Sequence, residues 1–146
     1  DHSFDVLVTR NVTWNLHDPE KAYGHWTRVL APGGLLLNFD ANWYRYLWDE
    51  KANLGHKQDR ENLAVSDVRD ENAGTDVDAM ETIARQTPLS RQQRPQWDLS
   101  VLAGLGIHAN ADEHIWRQVW TREERINNAS TPMFLVEGWK AKLSES

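Results

Sequence analysis

An α/β fold built on a parallel strand pair is predicted for this chain by three observations. The run Phe4-Asp-Val-Leu-Val-Thr9 is apolar and β-branched, too short for a helix and too continuous for a half-exposed strand. It therefore reads as a buried parallel strand. A helix start follows at Asp18-Pro19-Glu20, with Asp at the N-cap, Pro in the first turn and an acid beside it. Ala22, Tyr23, Trp26, Val29 and Leu30 then form one apolar stripe at helical spacing. Pro32 disfavours helix at Ala31, Gly33-Gly34 permits a reversal, and Leu35-Leu-Leu-Asn-Phe39 is a second apolar strand ending at Asp40. Strand, helix and strand make a βαβ unit over residues 1–41, and such crossovers are right-handed in nearly all cases.

Beyond it the pattern weakens. Trp43, Tyr44, Leu47 and Trp48 suit an amphipathic helix, whereas Gly55 to Gly74 is mostly polar with few core candidates. Thr75-x-x-Asp78 resembles a capping box and predicts a short helix with Val77, Met80 and Ile83 inward. Pro88 and Pro95 bracket a linker. A helix is expected over Trp97 to Leu105, stopped by Gly106, then a weak strand from Ile107 to about Ile115. Residues 116–131 read as a long polar connection, and Pro132-Met-Phe-Leu-Val-Glu-Gly-Trp139 as the final strand. The expected organisation is a βαβ unit (1–41), an insertion or cap (42–94), and a helix with an antiparallel strand pair (95–146).

Composition narrows the function. The chain has 146 residues, 40% of them apolar, and a mean hydropathy of −0.70. No stretch approaches the roughly 18 apolar residues of a bilayer span, and the N-terminus has no signal-peptide pattern. With no cysteine, neither a disulfide framework nor a thiolate metal site is possible, and a reducing cytoplasm is the expected compartment. Net charge of −6 and a pI near 5.5 disfavour a nucleic-acid surface. The sequons at Asn11 and Asn128 read as chance matches. Eight Trp are many for this length and make an aromatic-lined pocket worth seeking. The strand that begins within three residues of Asp1 suggests a chain cut from something longer.

The run from Phe4 through Arg10-Asn11-Val12-Thr-Trp14-Asn-Leu16, with Asp18-Pro19 and Trp26-Thr-Arg28-Val29-Leu30-Ala-Pro32-Gly33-Gly34-Leu-Leu-Leu, resembles class I S-adenosylmethionine-dependent methyltransferases. It matches their fourth strand, the next helix, the Arg-Val-Leu-x-Pro-Gly-Gly turn and the fifth strand. Trp97 to Ile107 looks like the helix before strand six, and Pro132 to Lys140 like the last, antiparallel strand. The resemblance implies the C-terminal part of a Rossmann-like doubly wound sheet, strands four to seven, carrying an inserted helical segment. It implies S-adenosylmethionine as cofactor and a small-molecule acceptor. The family's Gly-rich turn and ribose carboxylate would lie upstream, so this half is expected to be inactive alone. Gly104-Leu-Gly106, the one Gly-x-Gly here, does not follow a strand.

Ligands of open α/β sheets bind beyond the carboxyl ends of the strands. By the resemblance, Arg10, Asn11, Val12 and Trp14 are cofactor-side candidates. Otherwise Asn11 caps a turn and Trp14 packs under the helix. Asp40, Asn42, Trp43, Tyr44 and Trp48 would border the acceptor, under a cap formed by residues 43–93. Asp40 either orients the acceptor or acts as base, or it caps the following helix. No catalytic residue is assigned. Asp112-Glu113-His114 is the densest polar trio, but neighbours along a strand point to opposite faces, so no metal site is expected. Residues 4–9 would present an open strand edge, expected to be covered by a second copy, an upstream fragment or a rearranged segment. Rival readings are a nicotinamide-dependent oxidoreductase fragment and a packing or dimerisation module without enzymatic activity.

Overall fold

The computed structural model describes residues 1–143. Strand β1 (Phe4–Arg10) lies parallel to β2 (Leu30–Asp40), joined by helix α1 (Pro19–Val29). Helices α2 (Glu50–Ala64) and α3 (Val77–Ala84) follow, then α4 (Gln96–Gly104) and β3 (His108–Asp112). Short helices α5 (Trp116–Val119) and α6 (Arg122–Asn127) precede β4 (Phe134–Trp139). The sheet order is β1-β2-β4-β3, with β4 antiparallel to both neighbours. This is a Rossmann-like α/β sheet in which a parallel pair continues into an antiparallel one.

Alternation in β2 fixes what each face holds. Leu36, with Val136 and Phe134 of β4, packs against Tyr23 and Leu30 of the α1 region and against Leu102 and Ile107 beside α4. Fully burying an aliphatic or aromatic side chain contributes about 1.5–3 kcal/mol, so this cluster is the principal apolar source of stability. On the opposite face Leu37 and Phe39 meet Leu135, Met133, Ile115 and Trp120.

The Pro-Gly-Gly element is part of β2 and not a loop ahead of it. Phe4 pairs with Leu30 but Val6 with Leu35, so three extra residues of β2 bulge out between these partners. Gly33 sits at φ +79°, in the left-handed region that favours glycine. Its N–H donates to Lys140 O at 2.8 Å, and Lys140 N–H donates to Gly34 O at 3.0 Å. The bulge thus ties β2 to the end of β4.

Other expectations need correction. β1 is parallel as expected but not buried: Phe4, Val6 and Val8 are 53–57% exposed, because among the described residues it pairs only with β2 and its Val face has no covering layer. The Trp43–Trp48 stretch is a turn and a single 3-10 turn (Arg45–Leu47), since Tyr44 adopts φ +64° and cannot continue a helix. The polar segment that follows forms α2, 15 residues long, capped by Asp49, which accepts from Ala52 N. In α3 the cap is Asp76 and not Thr75, and Val77 and Ile83 stay exposed while Ala84 is buried. The connection over 116–131 holds two short helices, the second opened by a complete capping box between Thr121 and Glu124.

Candidate functional site

Among the described residues, the four strands bring one end each to the same rim: the carboxyl ends of β1, β2 and β3 and the start of β4. A cleft of about 410 Å³ opens there, within the usual range of ligand pockets. Its floor begins at Asn11, directly after β1. The Asn11 N–H continues the sheet ladder onto Phe39 O at 2.9 Å, and the residue then turns into the left-handed region at φ +56°, which Asn tolerates. From that position Asn11 holds two indoles. Trp14 Nε1 donates to the Asn11 carbonyl at 3.0 Å, and Trp43 Nε1 donates to Asn11 Oδ1 at 3.3 Å.

A line of rings runs inward from Trp14. Trp14 and Tyr44 have centroids 5.5 Å apart, Tyr44 and Tyr46 5.8 Å. Tyr46 stacks flat on His56, at 3.7 Å and 3°. His56, Asp59 and Arg60 stand at i, i+3 and i+4 of α2 and so share one helix face, which forms a wall of the cleft. Asn127, Asn128 and Thr131 lie on the cleft before β4, and Val77 and Met80 of α3 add apolar surface.

The cleft is acidic. Arg60 is held bidentately by Asp70, at 2.9 and 2.5 Å, which offsets its charge. Asp59 is 6% exposed and accepts from the backbone N–H of Ser130 at 3.0 Å and from the Ser130 hydroxyl, both on Oδ2. Glu71 accepts from Asn128 Nδ2 at 3.0 Å. Burial pushes the Tyr46 hydroxyl above the usual phenol range, and the adjoining Glu81, to which it donates at 2.9 Å, pushes the same way. Tyr46 is a neutral donor at physiological pH.

Burial, and then the charge of Arg60, hold the His56 imidazole below its ordinary value. A histidine that protonates less readily folded than unfolded contributes stability above the unfolded value of about 6.5, lost as pH falls through the folded value. Acidification from pH 7.5 to 5 should therefore lower the unfolding midpoint. His56→Phe, which keeps the stack without the titration, should flatten this part of the profile. An unchanged slope in the variant would show that His56 does not report the pH effect.

Of the nine residues singled out from the sequence, Asn11, Trp14, Trp43 and Tyr44 line the cleft. The others do not. Arg10 pairs with Glu124 at 2.9 Å on the surface, and Val12 is solvent-exposed. Asp40 neither caps a helix nor faces the cleft. It is fully buried and accepts from Arg94 Nη1 at 2.6 Å. Arg94 also donates to Asp98 at 2.9 and 2.8 Å, and Asp98 accepts from the Tyr23 hydroxyl at 2.5 Å. Asn42 exchanges hydrogen bonds with the Arg94 backbone. Trp48 donates to Ser90 Oγ at 3.0 Å beneath the Arg91 guanidinium, 3.9 Å from the ring centroid. Tyr46, His56, Asp59 and Arg60 were missed. Their only sequence signal is the i, i+3, i+4 spacing of the last three, which an undetected helix conceals. Among the described residues, no three His, Asp or Glu are grouped to hold a metal.

Residues 1–38, the βαβ unit, match a family model described as a methyltransferase domain. No curated protein matches the chain. Among solved structures, the chain is similar to an arsenic(III) S-adenosylmethionine methyltransferase from Chlamydomonas reinhardtii. Identity is 16% over 98% of this chain and 39% of that one, with a TM-score of 0.44. The chain therefore spans well under half the length of that structure.

Proposed function

We propose that this chain forms the acceptor-side half of an S-adenosylmethionine-dependent methyltransferase acting on a small molecule. One observation carries the reading: the cleft opens at the carboxyl ends of the two strands belonging to the unit that matches a methyltransferase domain. The residues present fit one end of the cofactor. Trp14 and Trp43, fixed by Asn11, offer ring faces of the kind that attract a cation, and the sulfonium is one. No cradle for the nucleoside accompanies them among the described residues, since Gly104-Leu-Gly106 closes α4 instead of following a strand. When bound, the cofactor supplies a methyl group on positively charged sulfur.

The work of this chain is then to bind and orient. Holding two reactants in register can supply much of the acceleration of a displacement, so no dedicated base is assigned. Trp43 and Tyr44 wall the cleft from water, and α2 presents polar groups to the acceptor. The open edge of β1, with Val6 and Val8 exposed, supports a further half seated beside it, because an unpaired apolar edge strand invites pairing.

The reading is tested by steady-state kinetics of the full-length protein. Tyr44→Ala should raise the acceptor KM about tenfold while S-adenosylmethionine affinity changes less than about twofold. Trp48→Ala, outside the cleft, should leave both unchanged and lower thermal stability only. If Trp48→Ala shifts KM while Tyr44→Ala does not, the acceptor lies elsewhere.

A further inference from the structure

We propose that the inner end of the cleft, formed by Tyr46, Asp59 and the wall of α2, is a subsite for an organic ammonium group. That its ligand is the methyl acceptor rests on the reading above; the subsite itself does not.

Three observations converge. First, Asp59 is 94% buried by its 6% exposure, yet it lines the cleft, and both hydrogen bonds it accepts among the described residues fall on Oδ2. Among the described residues no fully buried side-chain oxygen lacks a partner, so Oδ1, which accepts no hydrogen bond from them, keeps some exposure on a residue that lines the cleft. A carboxylate fixed by Ser130 on one oxygen and bare on the other is a built acceptor for a cationic donor. Burying a carboxylate is costly unless a counter-charge is supplied, and the described residues supply none of their own to Asp59.

Second, the nearest cation on the same helix face is already engaged. Arg60 lies one residue on, but Asp70 grips both of its terminal nitrogens. Glu71, also on the cleft, adds a second acid. An anionic ligand would meet Asp59 and Glu71 with only a pre-paired guanidinium to oppose them, whereas a cation meets two carboxylates.

Third, the rings that share the cleft with Asp59 are of the kind that hold cations. Trp14, Tyr44 and Tyr46 follow one another at 5.5 and 5.8 Å and all line the cleft, one face of Tyr46 being covered by His56, and Met80 and Val77 supply apolar contact for alkyl groups on nitrogen. Ammonium groups are recognised by this combination of aromatic faces and a carboxylate. The ammonium is the anchoring group in this assignment; it remains charged and is not the atom that accepts a methyl.

The test needs no cofactor. Choline is titrated into the full-length protein, without cofactor, against its uncharged isostere, 3,3-dimethyl-1-butanol, with tryptophan fluorescence as readout because Trp14 and Trp43 line the cleft. Saturation by choline and at least about tenfold weaker binding of the isostere are expected. Asp59→Asn, which keeps an oxygen for Ser130, should weaken choline about tenfold or more without altering the isostere. Tyr46→Leu, which leaves Asp59 in place, should also weaken choline selectively, and serves if Asp59→Asn does not fold. Equal affinity for the two probes, no binding of either, or choline binding insensitive to both variants overturns the assignment. None of those outcomes touches the methyl-transfer reading, which stands on the matched βαβ unit. Conversely, selective choline binding by a full-length protein that transfers no methyl group would overturn that reading alone.

Discussion

Arg94→Met is expected to lower the unfolding free energy by about 3–5 kcal/mol. Arg94 is 3% exposed and donates to two fully buried carboxylates, Asp40 and Asp98, joining the end of β2 to the start of α4. The network runs on through the Tyr23 hydroxyl to Asn38 Nδ2, and from Asn38 to Thr13, so it ties β2 to α1 and to the turn after β1. Removing the guanidinium leaves two carboxylates buried without a counter-ion. The thermal midpoint should fall by roughly 10 °C. Burial already pushes the Asp40 carboxyl above its ordinary value, and Arg94 is what opposes that push. Without it Asp40 binds its proton at a pH where the unfolded chain has released it. Stability of the variant therefore falls as pH rises through that window, and the deficit should shrink on acidification. Adding Asp40→Asn and Asp98→Asn to Arg94→Met should recover much of the loss, because no unpaired charge then remains. A loss under about 1 kcal/mol in the single variant would show that the network is not what holds these elements together.

Gly34→Ala is expected to cost about 1–3 kcal/mol, whereas Gly24→Ala should stabilise by about 0.5–1 kcal/mol. A Cβ on Gly34 would stand 2.7 Å from the backbone oxygen of Ala31, within the bulge, and 3.2 Å from that of Phe4, which cannot move without disturbing the β1–β2 ladder. A Cβ on Gly24, within α1, meets nothing inside 4 Å. The contrast separates two uses of one residue type. The Pro-Gly-Gly element holds a close approach between strands, so its role concerns the sheet and not the chemistry. Equilibrium denaturation of both variants decides this. If Gly34→Ala is neutral, the bulge adapts and the argument from the close contact fails.

What the sequence revealed follows from where its signals are local. The Asp18-Pro19 start, the α1 stripe and the apolar runs around Leu36 and Leu135 each specify an element through adjacent residues, and all of them appear in the fold. The apolar run of β1 read as buried, since burial of a parallel strand depends on neighbours and not on its own apolarity; only the resemblance, with its absent neighbour, implied the open edge at Phe4, Val6 and Val8. Helix α2 escaped notice because Glu50 to Ala64 has no apolar stripe; Asp59 and Leu63 are its buried residues, and one of them is charged. Asp40 misled for a related reason. Its partner Arg94 lies 54 positions away in a segment that reads as linker, so a strand-end carboxylate looked available to a ligand or to the cap of a following helix. The cleft was half visible. Asn11, Trp14, Trp43 and Tyr44 follow strand ends, where ligands of open sheets gather, while Tyr46, His56 and Asp59 owe their place to a helix the pattern did not disclose.

The claim that this chain is the acceptor side of a methyltransferase is tested most directly by calorimetric titration of S-adenosylmethionine into two polypeptides, residues 1–146 and the full-length protein. Saturable binding is expected for the full-length protein, weakened about tenfold by Trp14→Ala, with no saturable heat from residues 1–146 alone. A micromolar dissociation constant for residues 1–146, or no binding by the full-length protein, would contradict the account.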